Sequence, residues 1–146
     1  MTDEQYRKRI NFLSQYKVLG KRIDRLVEEK DKWWRLATKK TTVITDMPHG
    51  GNGENQMEIA VEKIVECEHK IDDSIDDKIK KRIEIQKAID SVEDENLKLL
   101  LEYRYIDGKE WWEISKNMNY DYTGRNIYKL HGKAIAMVKW TPNNTL

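Results

Sequence analysis

The sequence is poor in the residues that build cross-linked or turn-rich folds. One cysteine, Cys67, stands in 146 residues. It cannot form an internal disulfide, and a lone cysteine fits a reducing compartment. Two prolines, seven glycines and a single phenylalanine argue against an all-β protein full of tight turns. No stretch approaches the roughly 20 apolar residues needed to span a bilayer, so no membrane association is expected. The opening Met1-Thr2-Asp3-Glu4 is polar and charged with no apolar run behind it, and a secretory signal is not expected. Charge is what the chain has in abundance. Charged residues make up 36% of it, against about a quarter in an average globular protein. With 38% hydrophobic residues and a mean hydropathy of −0.86, the expectation is a helix-rich, cytoplasmic, all-α protein with much exposed surface.

The net charge of +1 conceals three blocks. Residues 1–46 carry +5, residues 47–94 carry −6 and residues 95–146 carry +2. Between 115 and 140 stand five bases and one acid, Asp121. A basic C-terminal segment behind an acidic element fits a polyanion partner, although a charged helix face is as often simply solvated.

Residues 3–38 have the periodicity of one long helix. Phe12, Tyr16, Leu19, Ile23, Leu26, Lys30, Trp33 and Ala37 alternate at spacings of four and three, a heptad seam with one polar break at Lys30. The β-branched run Thr41-Thr42-Val43-Ile44-Thr45 is poor helix material. It leads into Pro48, Gly50, Gly51 and Gly53, which mark a flexible loop near 41–55. Gly53 is followed by Glu54 and not by Lys-Ser/Thr, so the loop lacks the phosphate-cradling motif. A second helix is predicted over 54–92, its stripe drawn through Met57, Val61, Ile64, Ile71 and Ile75. Ile79, Ile83, Ile85, Ile89 and Val92 continue it after a stutter-like slip. Residues 1–92 thus read as a helical hairpin or coiled coil, and its seams could close within one chain or pair two copies as a homodimer.

Cys67 and His69 are two apart on that helix and point about 200° from each other, so they cannot share a metal ion. Cys67 is read as a small buried residue, and no metal or cofactor is expected. Asp72-Asp73 and Asp76-Asp77 form an exposed acidic face in this reading. No nucleophile–base pair stands out, and the chain is not expected to be an enzyme.

The texture changes over 93–140. Glu93-Asp94-Glu95 suits a helix N-terminus, and Leu97, Leu100 and Leu101 give an apolar face that Asp107-Gly108 ends with a left-handed cap. Lys109–Met118 forms a second short helix, with Trp111, Ile114, Ser115 and Met118 inward. Asp121 or Thr123 caps a third helix running to about Trp140, with Ile127, Leu130, Ala134, Met137 and Val138 inward. Residues 141–146 are a frayed tail. Three short helices with a tight turn between the last two make a helix-turn-helix domain over 93–140. The outward face of the third presents Arg125, Asn126, Tyr128, Lys129 and Lys133. Arginine and asparagine can grip guanine and adenine edges with paired bonds, while lysines reach phosphates. Thr123, Arg125 and Asn126, near the helix start, are placed for base edges. Lys116, Lys129 and Lys133 are placed for phosphates.

Leu100–Ser115, with its Leu-rich helix, Arg104-Tyr105, Gly108 turn and Glu113-Ile114-Ser115, resembles the start of region 4 of bacterial sigma factors. Ile127–Ile135 is similar to the recognition helix of that region. The whole layout resembles small phage or prophage regulators of Gram-positive bacteria, the ArpU-like late transcription regulators. The resemblance implies a helix-turn-helix fold, double-stranded DNA as partner, contact with host RNA polymerase and a place in the cytoplasm of a bacterial host. The turn from Met118 to Ile127 is two residues longer than the usual pattern, and Ser115 stands where alanine is usual. Two other functions fit the residues: a DNA-packaging component like a small terminase subunit, and a protein–protein adaptor without DNA contact. The adaptor would use exposed aromatics, but Trp34 and Trp112 are expected to lie over neighbouring helices.

Overall fold

The computed structural model describes residues 1–43, 52–118 and 124–140, with the side chains of 40–43, 52–54 and 124–125 outside that description. Among the described residues the fold is all-α, without strands. Helix α1 spans Asp3–Val43 and helix α2 spans Asn52–Asp90. Short helices α3 (Glu95–Leu101), α4 (Trp111–Asn117) and α5 (Gly124–Met137) follow, with a π-helical turn, Glu102–Ile106, directly after α3. The β-branched residues 41–43 remain helical, because their propensity penalty is only a few tenths of a kcal/mol each. The Pro48-Gly50-Gly51 linker and the 141–146 tail lie outside the described residues.

The chain divides into two compact units, one of Leu19–Asp77 and the other of Met1–Val18 with Lys78–Leu146. In the first, the α1 seam is inward as its spacing requires: Leu26 and Ala37 are buried, and Ile23, Lys30 and Trp33 are half-buried. The polar break at Lys30 is answered by Glu68 of α2, with Nζ 3.2 Å from Oε1. Ala60, Ile64 and Cys67 face the seam from α2. Burial pushes the Cys67 thiol up from its ordinary pKa, with Glu29 adding to the effect, which fits an inert apolar role. On the exposed side, the ammonium groups of Lys63 and then Lys70 hold the Glu66 carboxyl below its ordinary range.

The α2 stripe differs from the predicted one. The inward residues of this unit step through Met57, Ala60, Ile64, Cys67, Ile71 and Ser74, and those of the other unit through Lys78, Lys81, Ile85 and Ala88. These are unbroken steps of three and four, so there is no stutter. Small and polar side chains hold several seam positions, and Val61, Ile75, Ile79 and Ile83 are exposed. The seam lysines are accommodated by aromatic faces. Lys78 Nζ sits 4.7 Å from the Tyr16 ring centroid and Lys81 Nζ 5.7 Å from that of Phe12. Position falls on α2 as it rises on α1 between these two pairs, so the two helices run antiparallel in the unit of Met1–Val18 and Lys78–Leu146. Trp34 (63% exposed) and Trp112 (56%) are open to solvent, contrary to the expectation that neighbouring helices cover them.

The second unit holds a core in which Leu13, Ile85, Ile89, Leu100, Leu101, Ile114, Ile127 and Ile135 are fully or almost fully buried. The N-terminal part of α1 and the C-terminal part of α2 therefore serve as walls for the C-terminal helices. Phe12 of α1 stacks on Trp140, with centroids 4.5 Å apart and planes within 14°. Asp94 caps α3 by accepting from the backbone N–H groups of Asn96 (2.9 Å) and Leu97 (3.1 Å). The π-helical turn closes through the Asp107 N–H donating to the Glu102 carbonyl at 3.0 Å. Gly108 follows with φ +69°, the left-handed cap its sequence position predicts.

Candidate nucleic-acid interface

Helix α5 is placed by what it buries. Ile127, His131, Ala134, Ile135 and Val138 face the core and Leu130 is half-buried. Met137, expected inward, is 37% exposed, because Ile135 takes the inward position at that end of the helix. The end itself is held by α1: Arg9 Nη1 donates to the carbonyl of Ile135 (2.9 Å), which also accepts from the Val138 N–H, and to that of Ala136 (3.2 Å) in the last turn.

The largest feature that periodicity did not reveal is His131. It is 6% exposed and carries two tyrosine hydroxyls, Tyr105 Oη 2.6 Å from Nε2 and Tyr6 Oη 3.2 Å from Nδ1. We assign the shorter contact to the Tyr105 O–H donating to a bare Nε2, with Nδ1–H donating to Tyr6. Burial, reinforced by the Arg104 cation, drives the His131 pKa from 6.5 to about 4, so the ring is neutral. Burial likewise pushes the Tyr105 hydroxyl up, with Tyr6 adding to it. Trp111 meets the His131 ring edge-on at 4.9 Å. Arg104 lies over Trp111 at 4.5 Å and donates to the Lys109 carbonyl at 3.1 Å, tying the Gly108 turn to the start of α4. A cleft of about 340 Å³ opens beside this cluster, between Tyr6, Lys17, Arg104, Trp111 and Tyr128. A neutral imidazole with both nitrogens engaged, beside a phenol held protonated, makes a poor base or nucleophile.

With the inner face fixed, the outer face follows. Asn126, Lys129 and Lys133 are all exposed, at spacings of three and four along one ridge of α5 about 10 Å long. Lys116, in the last turn of α4, is exposed as well. Among the described residues none of Lys116, Lys129 and Lys133 makes an ion pair within 4 Å. The sequence of α5 contains no acidic residue. Tyr128 is exposed, but its ring also meets Trp111 edge-on at 5.6 Å, so it is half anchored to α4. Arg125 lies in the first turn of α5 with its side chain outside the description. Thr123 and the alternative cap Asp121 lie outside the described residues. The structure thus brings Asn126, Lys129 and Lys133 onto one cationic ridge.

No described helix is long and apolar enough to cross a membrane. Comparison with curated proteins and with solved structures returns no match. One family model covers residues 36–138, from the later part of α1 to the end of α5, and the chain belongs to that family, described as "Protein of unknown function (DUF1492)".

Proposed function

We propose that the chain is a sequence-specific, double-stranded DNA-binding transcriptional regulator of phage or prophage origin, acting in the host cytoplasm with host RNA polymerase and without enzymatic activity. The observation that carries this reading is the ridge Asn126–Lys129–Lys133 on a 14-residue helix whose other side is locked into the core. A helix of about 20 Å with amide and cationic side chains outward suits the major groove, which is about 12 Å wide. Tyr128 and Lys116 extend the polar surface on the α4 side. Arg125 and Thr123 belong to the base-reading end in the same scheme. The likeness of Leu100–Ser115 and Ile127–Ile135 to sigma region 4 supports transcription in particular, and gives RNA polymerase as the second partner.

Selection of bound fragments from source genomic DNA, followed by fluorescence anisotropy on the selected duplex, tests the reading. Arg125→Ala is expected to weaken specific binding by about 1–3 kcal/mol. Lys129→Ala and Lys133→Ala are expected to weaken binding to all sequences and to reduce the salt slope by about one unit each. No shift at low salt, or a slope untouched by either lysine substitution, would sink it.

A further inference from the structure

The cleft beside His131 has walls with a chemistry of their own. Tyr6, Ile10, Ser14 and Lys17 follow one another at steps of four and three, so one face of α1 supplies one side of it. Arg104, Trp111 and Tyr128 contribute from the C-terminal helices. All of these residues belong to the unit of Met1–Val18 and Lys78–Leu146. The volume, about 340 Å³, falls within the range of small-molecule sites, about 300–1,000 Å³.

The lining combines aromatic rings with two cations and contains no acidic residue. Tyr128 is 53% exposed, and its ring stands at 69° to that of Trp111. A planar group can therefore lie flat on one ring and meet the other edge-on. Arg104 is held ready by its place over Trp111. Among the described residues its one hydrogen bond runs from Nη1 to the Lys109 carbonyl, and the Glu110 carboxylate stands off at 3.9 Å. The remaining guanidinium donors are left for a carboxylate or phosphate. Lys17 is exposed and, among the described residues, makes no ion pair within 4 Å. The neutral His131 and protonated Tyr105 bring no negative charge to oppose an anion.

We propose that this cleft binds a small aromatic anion, a planar ring system that carries one carboxylate or phosphate. The ring packs against Tyr128 and Trp111, and the anionic group is taken by Arg104 and Lys17. A cationic ligand would meet two like charges, and a bare inorganic anion would leave the aromatic walls in water. Ligand binding is measured without DNA, so its failure would leave the DNA-binding reading standing, and the converse holds.

Nuclear magnetic resonance titration of the isotope-labelled full chain tests the site. The probes are AMP and indole-3-acetate, each with its uncharged counterpart, adenosine and tryptophol, so the arms separate phosphate from carboxylate. At least one anion is expected to saturate with a Kd below about 1 mM. Its uncharged counterpart should bind about tenfold more weakly. The indole N–H resonance of Trp111 should move, and that of Trp34, which lies in the other unit, should not. Lys17→Ala should weaken the anion about fivefold and leave the uncharged counterpart unchanged. Tyr128→Ala should weaken both. Lys17 and Tyr128 are exposed, so both variants are expected to keep the circular dichroism of the parent. Failure of both anions to saturate by about 5 mM overturns the proposal. Equal affinity for charged and uncharged probes overturns the anionic class. Binding that moves Trp34 and spares Trp111, or that survives both substitutions, overturns the site.

Discussion

Lowering the pH from 7.5 to 5.5 should destabilise the unit that contains α5, through His131. The ring is held at a pKa of about 4 in the fold, against an ordinary 6.5. It is neutral in the native state, and the unfolded chain takes up the proton first. The stabilisation is therefore complete above pH 6.5 and is lost as the pH falls toward 4. At pH 5.5 an unfolded histidine is about 90% protonated and the buried one only a few per cent, a difference of about 1.4 kcal/mol, or tenfold in the folding equilibrium. This window precedes the main carboxylate titration, which centres near pH 4. Urea unfolding followed by near-ultraviolet circular dichroism at pH 7.5, 6.5 and 5.5 measures the slope. Exposed His69 has no comparable burial, and His131→Phe provides the control. The variant should lose about 1–3 kcal/mol at pH 7.5, because the Tyr105 and Tyr6 hydroxyls lose their shared partner. Its stability should then be flat across the window. A flat curve in the parent, or the same slope in His131→Phe, would show that the ring is not buried neutral.

Three further outcomes follow from local geometry. Ser115 is fully buried and its Oγ has no hydrogen-bond partner among the described residues, so Ser115→Ala should raise stability by about 1 kcal/mol in chemical denaturation; a loss of stability would show that the hydroxyl is satisfied. Gly108 has φ +69° with open space where a Cβ would stand, so Gly108→Ala should cost about 1 kcal/mol from backbone conformation alone, and Gly108→Asn clearly less. Asp94→Ala removes two cap hydrogen bonds and should cost about 0.5–2 kcal/mol, with an equal loss for Asp94→Gly counting against the cap.

What was legible in the sequence is what depends on local period. The α1 seam from Phe12 to Ala37 required only a count of threes and fours, and all eight positions face inward or are half-buried. The Gly108 turn followed from the one residue type that adopts its φ without strain. The α2 stripe holds at Met57, Ile64, Ile71, Ile85, Ile89 and Val92 and fails at Val61, Ile75, Ile79 and Ile83, because hydrophobicity was taken as the marker of burial. Ser74, Lys78 and Lys81 occupy seam positions, and two of the three are tolerated by lying over Tyr16 and Phe12, residues more than 60 positions away. The isoleucines beside them are more apolar, and that displaced the stripe by about a quarter of a turn.

The candidate interface divides along the same line. Asn126, Lys129 and Lys133 needed only the phase of α5, which Ile127 and Ala134 set. His131 could not be found that way, because its two partners come from α1 and from the π-helical turn, and only tertiary structure makes a histidine an acceptable core residue. The two halves of the helix are nevertheless linked. An outward ridge can hold a fixed register against DNA only if the inward side resists rotation, and a purely aliphatic inner face permits sliding between similar packings. His131 fixes the roll of α5 through directional bonds to Tyr6 and Tyr105, and Arg9 fixes its end through the Ile135 and Ala136 carbonyls. In this arrangement the first three turns of α1, which carry none of the proposed DNA contacts, determine where those contacts point.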